Sequence, residues 1–300
     1  MTKRRKENER HIIAFSPGRR PYGAKLTLVL EKHTIFNISG ECTLLVTPEI
    51  HLRIKPKKPG HVNENDWDIF AEGFSSASEA EEVGLKVALG FLWTAIRGRY
   101  SARLVYHTPL PCVVYDRTQS KARLSYSATL SMSIGIANVI GPLDNVIASN
   151  NKVDPRLLIA LEIFAAARLE TTERAKFVGI VSAIEPIAVQ AKYEDDKLTA
   201  LLSNFKEQLK GSELDTSVVT SLCGRIDQLR LESVSRAIRR LVENSLPNDT
   251  EAVAIIEDAY KLRSKILHEG STDADLQQKS QEAEEIIRRI FEFKISEYTS

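Results

Sequence analysis

The stretch that decides the predicted fold is Glu257-Asp258-Ala259-Tyr260-Lys261-Leu262-Arg263-Ser264-Lys265-Ile266-Leu267-His268-Glu269-Gly270. Apolar residues recur at helical spacing along and before it, at Val253, Ile256, Tyr260 and Leu267. The pattern predicts an amphipathic helix that ends at Gly270. Arg263 falls on the apolar line, where a guanidinium needs an ion-pair or hydrogen-bond partner. His268 follows in the last turn, and these two residues are the main functional candidates.

Residues 153–300 predict helices throughout, with no convincing strand. Asp154 is a predicted N-cap followed by Pro155 at the first helical position. The predicted helices are 154–168, Thr171 or Thr172 to Pro186, Asp195–Lys210, Asp215–Asn244, Asp249–Leu267 and Asp273–Glu297. The fourth of these has a predicted division near Gly224. A compact all-α bundle of five to seven helices is the expected architecture.

The preceding half has the texture of an α+β domain, largely antiparallel, with one helix. Val-, Ile-, Leu- and Thr-rich runs predict strands at Ala24–Glu31, Thr34–Ile38, Thr43–Thr47, Glu49–Lys55, Ala102–Tyr106, Cys112–Tyr115 and Ala122–Ile136. Ser78-Glu79-Ala80-Glu81 predicts a capping box and a helix to about Arg97. Its expected core-facing residues are Val83, Val87, Leu89, Leu92 and Ile96.

Turn residues from Gly141-Pro142 to Asp154-Pro155 predict a boundary near residues 141–155. The expected organisation is a disordered basic tail over 1–23, an α+β domain over 24–145 and an all-α bundle over 153–300. The charge pattern agrees with two modules. Residues 1–152 carry 21 Lys and Arg against 14 Asp and Glu, whereas residues 153–300 carry 20 against 26.

Composition restricts the class of protein. The 300 residues are 43% hydrophobic and 27% charged, as in an ordinary globular protein. The three cysteines have no paired spacing, so neither a disulfide framework nor a cysteine zinc site is expected. No apolar run approaches the roughly 20 residues that span a bilayer. We therefore expect a cytoplasmic protein without membrane contact, metal or other cofactor.

Two interpretations of Arg263 and His268 follow from the residues alone. Five helical steps separate the side chains by about 140°, so a single ideal helix does not place them on one face. They can converge if the helix loosens at Gly270 or if two copies of the bundle meet there. In the other interpretation Arg263 pairs with a carboxylate, plausibly Glu185 just before the Pro186 kink, and His268 is a surface helix-end residue.

The segment from Tyr260 to Gly270 resembles a motif of the HEPN superfamily, particularly its Apea-like branch. Arg263-Ser264-Lys265-Ile266-Leu267-His268 is an Arg-x4-His motif near the end of a long helix in an all-α bundle. The Apea-like texture is Tyr-x-Leu-Arg-Ser-x-x-x-His-Gly, and here Glu269 is inserted before the glycine. The resemblance covers residues 153–300 and implies that they form an all-α HEPN-like bundle. The predicted fold is therefore an α+β N-terminal domain, from the strand pattern, followed by this bundle.

This resemblance implies a metal-independent endoribonuclease that acts as a homodimer in defence or stress response. His268 would be the general acid and base for attack by the ribose 2′-hydroxyl, and Arg263 would hold the scissile phosphate. Supporting roles fall to residues beside them: Ser264, Lys265, Tyr260 and Glu185. The expected products are a 2′,3′-cyclic phosphate and a 5′-hydroxyl, and DNA would not be cut.

Six further arginines are weaker candidates for contacts with RNA: Arg236, Arg239, Arg240, Arg97, Arg99 and Arg103. The first three lie on one predicted helix, where a solvated face is the competing interpretation. The other three are interleaved with tyrosines, which is also typical of a helix end followed by a strand. Two other functions stay open: a non-catalytic dimerisation or interaction module, and nucleotide binding without catalysis.

Overall fold

The computed structural model describes residues 20–31, 34–36, 41–47, 50–57, 66–106, 109–117, 132–134, 136–270 and 272–300. Its strands are β1 (Tyr22–Leu30), β2 (Thr34–Phe36), β3 (Cys42–Thr47), β4 (Ile50–Pro56), β5 (Asp66–Phe74), β6 (Ala102–Leu104), β7 (Val113–Asp116) and β8 (Met132–Ile134). Its helices are α1 (Ala77–Arg97), α2 (Ile136–Ala148), α3 (Pro155–Ala167), α4 (Glu173–Ser182), α5 (Asp196–Lys210), α6 (Thr216–Gln228), α7 (Val234–Ser245), α8 (Thr250–Glu269) and α9 (Leu276–Thr299). A sheet-containing region therefore precedes a helical region, as predicted.

The main sheet is antiparallel and has the order β3-β4-β5-β1-β6, with β7 also paired to β1. The strand predicted over Glu49–Lys55 corresponds to β4, which alternates: Leu52 and Ile54 are fully buried, while His51, Arg53 and Lys55 are partly exposed. β2 and β8 form a separate parallel pair. Residues 118–131, which include most of the predicted Ala122–Ile136 strand, lie outside the described residues.

The central strand β5 was not predicted. It pairs with β1 on one side and with β4 on the other, so it holds the sheet together. Its sequence Asp-Trp-Asp-Ile-Phe-Ala-Glu-Gly-Phe mixes acidic residues with apolar ones. Asp68 occupies a buried position because Lys25 lies 2.9 Å from its carboxylate and Thr27 donates a hydrogen bond of 2.8 Å. Local composition does not indicate these cross-strand partners.

Helix α1 packs against β1 and β5 on one face of the sheet, and all five predicted core residues on it are buried. The capping box predicted at Ser78 was wrong by two residues. The Ser76 hydroxyl accepts the Glu79 N–H, and the Glu79 carboxylate accepts the Ser75 N–H at 2.9 Å. Ser76 precedes Glu79 by three residues, just as Ser78 precedes Glu81, and the earlier of these two pairs forms the cap.

The region around Gly141-Pro142 is helical rather than a break. Helix α2 begins at Ile136 and continues through Pro142 to Ala148, which adds a second helix to the N-terminal half. The predicted turn lies later, over residues 149–154. There the Lys86 ammonium donates to the Ser149 carbonyl at 2.9 Å, and the Ser149 hydroxyl donates to the Tyr298 carbonyl. Buried residues of the sheet, α1, α3 and α9 form one contiguous apolar core.

Most predicted starts of the C-terminal helices are confirmed, since a side chain caps the first turn at Asp154, Thr172, Asp195, Asp215 and Asp249. Two boundaries differ. The division predicted near Gly224 occurs at residues 229–233, and α9 is capped by Asp275 rather than by Asp273. Gly224 is tolerated within α6 because helix interiors accept a glycine at a cost of about 1 kcal/mol. None of the helices in the described ranges is long and apolar enough to cross a membrane.

Candidate functional site

Helix α8 positions both residues of the Arg-x4-His segment. The Asp249 side chain accepts the Ala252 N–H at its start, and Gly270 ends it with a φ of 75°. The Gly270 N–H donates to the Ile266 carbonyl at 3.0 Å. This left-handed conformation favours glycine, because a Cβ is disfavoured there. The inserted Glu269 is the last residue of the helix and lies three residues after the buried Ile266.

The buried line of α8 differs from the predicted stripe at its C-terminal end. Leu267 was predicted to face the core, but it is 53% exposed, whereas Ile266 is 4% exposed. The buried line passes through Ala259 and reaches Ile266 seven residues later, which is two helical turns. Arg263 lies four residues after Ala259 and three before Ile266. It therefore belongs to the face of α8 that packs against the protein.

The Arg263 guanidinium is held at two points by residues at the end of α4. Its Nε donates to the Ser182 hydroxyl at 3.0 Å, and its Nη2 lies 2.9 Å from Glu185 Oε1. The second contact is an ion pair without hydrogen-bond alignment, so Oε1 accepts no hydrogen bond. The Tyr260 ring lies one turn earlier, 5.7 Å from the guanidinium carbon. Arg263 is thus a fixed cation rather than a freely moving one.

Glu185 reaches Arg263 because α4 ends early. Pro186 cannot continue the helical hydrogen bonds, and a 3-10 turn over Glu185–Ile187 follows. The side chains of Arg263 and Glu185 retain 20% and 32% of their exposure, so the pair lies at the edge of the core. An ion pair with this much exposure contributes on the order of 1 kcal/mol or less. The carboxylate that the sequence offered as a plausible partner is the one in contact.

Tyr260 is affected by the same pair. Partial burial raises the pKa of its hydroxyl, and the Glu185 charge adds to this effect while Arg263 opposes it. The phenol therefore remains a neutral group that can donate a hydrogen bond.

His268 has different surroundings from Arg263. It is exposed in the last turn of α8, and within the described part of the chain no hydrogen bond or ion pair engages its imidazole. Ser264 is half-buried and Lys265 is exposed. One chain therefore directs Arg263 toward α4 and leaves His268 open to solvent.

Ser182 is the contact that the sequence prediction missed. Its signal was available, because it is the one polar residue within the apolar run Ile180-Val181-Ser182-Ala183-Ile184. A polar side chain on a packed helix end needs a partner. Only the tertiary arrangement shows that the partner is on α8, 81 residues away in the sequence.

The arginines of α7 have carboxylate partners. Arg240 pairs with the buried Glu232 and also donates to the Val189 carbonyl at 2.7 Å. Arg239 lies 2.9 Å from Glu243 and 3.2 Å from Glu257. An open groove of about 550 Å³ is lined by these groups: Ser235, Arg236, Arg239, Arg240, Glu243 and Glu257. The α7 arginines, which were weak candidates for contacts with RNA, are therefore largely neutralised by carboxylates in the same groove.

The arginines of the N-terminal half are dispersed. Arg97 and Arg103 are exposed, at the end of α1 and on β6, while Arg99 is paired with Glu285 of α9 at 2.9 Å. The neighbouring Tyr100 is only 7% exposed. Its ring is packed in the core, which favours the interpretation of this stretch as a helix end followed by a strand.

Comparisons of the chain with protein-family models, with curated proteins and with solved structures gave no match. The class of site is therefore inferred from its own chemistry. Among the described residues, no group of three or more His, Cys, Asp or Glu side chains could hold a metal ion. The candidate site consists of a guanidinium fixed at two points, a neutral phenol beside it and an open imidazole on the same helix.

Proposed function

We propose that the chain is a metal-independent endoribonuclease of the HEPN type that works as a homodimer. The helical region would supply an HEPN-like bundle, in which Arg263 and His268 of two copies line a common cleft. The sequence motif is the origin of this proposal. The arrangement of Arg263 is the observation that supports it best.

That observation is that only part of the Arg263 guanidinium is in contact with other described residues. Ser182 engages Nε and Glu185 lies against Nη2, while Nη1 has no partner among the described residues. Because a guanidinium has five N–H donors in a rigid plane, fixing one edge aims the other edge. A preorganised donor of this kind stabilises negative charge that develops on a phosphoryl group.

The proposed reaction is an internal transesterification. The ribose 2′-oxygen forms a bond to phosphorus as His268 accepts its proton, and the bond from phosphorus to the 5′-oxygen breaks. A histidinium, from the same or the partner copy, donates a proton to that leaving oxygen. Arg263 neutralises the extra charge on the non-bridging oxygens. The 140° between the two side chains on one ideal helix is the reason that the second copy is needed.

The test is cleavage of single-stranded RNA in the presence of EDTA by the full chain. Arg263→Ala and His268→Ala are each expected to lower the rate at least about 100-fold, as for loss of an electrostatic or acid–base group. Lys261→Ala is the matched control, because Lys261 is an exposed cation on the same helix and, among the described residues, pairs with Asp258 alone. Products should carry a 2′,3′-cyclic phosphate, and a 2′-deoxy substrate should remain intact. Unchanged cleavage in both alanine variants would contradict the proposal.

A non-catalytic dimerisation or interaction module is the second candidate. The Glu185 carboxylate favours this function, because it occupies one edge of the Arg263 guanidinium, the group that would bind phosphate in an endoribonuclease. Glu185→Gln distinguishes the two functions. In an endoribonuclease this change should strengthen RNA binding, because a repelling charge leaves the site. In an interaction module RNA binding should be absent from both proteins, while the oligomeric state stays the same.

A further inference from the structure

Helices α5 and α6 form an arm that is separate from the main core. We define the α5–α6 arm as residues 196–228. Among the described elements, α5 and α6 have each other as their main packing partner. At the base, Lys192 and Leu231 form an isolated antiparallel bridge, and the Tyr193 N–H donates to the Arg230 carbonyl at 2.8 Å. Leu202 is the one buried residue in α5, and α6 has none.

The arm has two unlike sides. On one side Lys206 and Asp227 join α5 to α6 through an ion pair of 2.7 Å. At 100° per residue in antiparallel helices, Leu201, Phe205 and Val218 project to the opposite side. These three side chains are 51%, 48% and 43% exposed. The arm thus presents an apolar surface that its own two helices leave uncovered.

The centre of this surface is free of charge. Residues 198–205 of α5 and 216–224 of α6 contain no Asp, Glu, Lys or Arg, although 27% of the chain is charged. In an interface with two-fold symmetry, residues near the axis meet their own copies, so a charge there would face a like charge. An uncharged centre therefore suits a second copy of the same chain.

The charges on the apolar side differ between the two ends of the arm, because Asp196 and Asp227 at the base and Lys210 at the tip project away from that side. Lys197 and Arg225 lie near the base and project toward the apolar side, whereas the tip carries Glu213 and Asp215. An antiparallel arrangement of two arms would bring each base against the other tip, with cations near carboxylates. A parallel arrangement would bring acidic tip to acidic tip. Charge complementarity thus selects one orientation.

We propose that the apolar side of the α5–α6 arm binds the same side of a second copy, antiparallel, to form a four-helix bundle. Two hairpins commonly complete such a bundle, because one hairpin alone leaves its apolar side in water. This inference rests on the homodimer of the proposed function and names the surface that holds the two copies together, whether or not the chain cleaves RNA. An α5 of 15 residues spans roughly 22 Å. The arm is short, so the contact is limited and dimerisation should depend on concentration.

The experiment is sedimentation velocity of the full chain over roughly 1–200 μM. The wild type should change from monomer to dimer with concentration, and Phe205→Glu with Val218→Glu should raise the dissociation constant at least tenfold. The matched control is Ala200→Glu with Thr220→Glu, which places the same charges at exposed positions away from the apolar side. The control should dimerise as the wild type does. Circular dichroism should show the same helix content in all three proteins.

Orientation is tested by charge reversal. Arg225→Glu should weaken dimerisation, and adding Glu213→Lys to the same chain should restore it. Failure of this rescue would overturn the antiparallel arrangement. A wild type that remains monomeric over the whole range, or a dimer that the Phe205 and Val218 changes leave intact, would overturn the arm as the self-association surface. So would a monomer that sediments with anionic lipid vesicles through Phe205 and Val218.

Discussion

The helical body, which we define as α3, α4, α8 and α9, and the α5–α6 arm are built from similar local signals with different consequences. Each of these helices has an N-cap side chain that accepts a backbone N–H in the first turn. In the body these helices bury large side chains such as Phe164 and Phe291, at 1% and 0% exposure. In the arm Phe205 is 48% exposed. Caps determine where a helix begins, but burial determines how much a residue in it stabilises the fold.

The largest expected difference between body and arm is in phenylalanine truncation. Phe164→Ala should lower the free energy of unfolding by about 3–5 kcal/mol, because it leaves a cavity beside the Phe291 ring, whose centroid is 5.3 Å away. Phe205→Ala should change it by no more than about 0.5 kcal/mol in dilute, monomeric protein. Urea unfolding of both variants measures the difference. Equal losses would mean that the arm is packed as the body is.

Smaller changes in stability are expected when two glycines are replaced by alanine, and the two changes should have opposite signs. A Cβ at Gly179 of α4 would lie 2.7 Å from the Ala167 Cβ of α3, so Gly179→Ala should cost about 1–3 kcal/mol. At Gly224 of α6, no described atom lies within 4 Å of the added Cβ. Gly224→Ala should therefore stabilise the arm by up to about 1 kcal/mol through helix propensity. Thermal unfolding should show Tm changes of opposite sign, and a loss at both positions would contradict the open surroundings of Gly224.

The smallest effect is expected at the joint between arm and body, where the Glu232 carboxylate accepts the Ala191 N–H at 2.9 Å and pairs with Arg240. The hydrogen bond from Arg240 lowers the pKa of Glu232, and the Ala191 N–H adds to this effect. A lowered folded-state pKa gives stability that is present above the unfolded pKa of about 4.3 and lost as the pH falls through the folded value.

Glu232→Gln should therefore lower Tm at pH 7, and the difference from wild type should shrink progressively as the pH falls below about 4.3. Glu243→Gln is the control, because Glu243 is an exposed partner of Arg239 on α7. A pH-independent difference for the Glu232 variant would contradict an ionic role at the joint. Faster amide exchange in peptides that contain Lys192 and Leu231 would place the loosening at the base of the arm.

Local signals predicted much of the helical region and part of the sheet. Caps and prolines gave the starts at Asp154 and Thr172 and the end of α4 before Pro186. They did not predict β5, because its acidic residues become compatible with a central strand only through partners on other strands. Gly141-Pro142 resembled a break, yet α2 continues through it and packs against α1.

The candidate site shows the same division. The periodicity of α8 was sufficient to place Arg263 on the packed face, since it lies seven residues, or about two turns, after Ile256. The sequence also supplied the glycine that ends the helix after His268. It could not decide which carboxylate Arg263 meets, how exposed that pair remains, or that Ser182 holds the guanidinium from the end of α4. Those contacts join positions about 80 residues apart, and only tertiary packing sets their distance and their access to water.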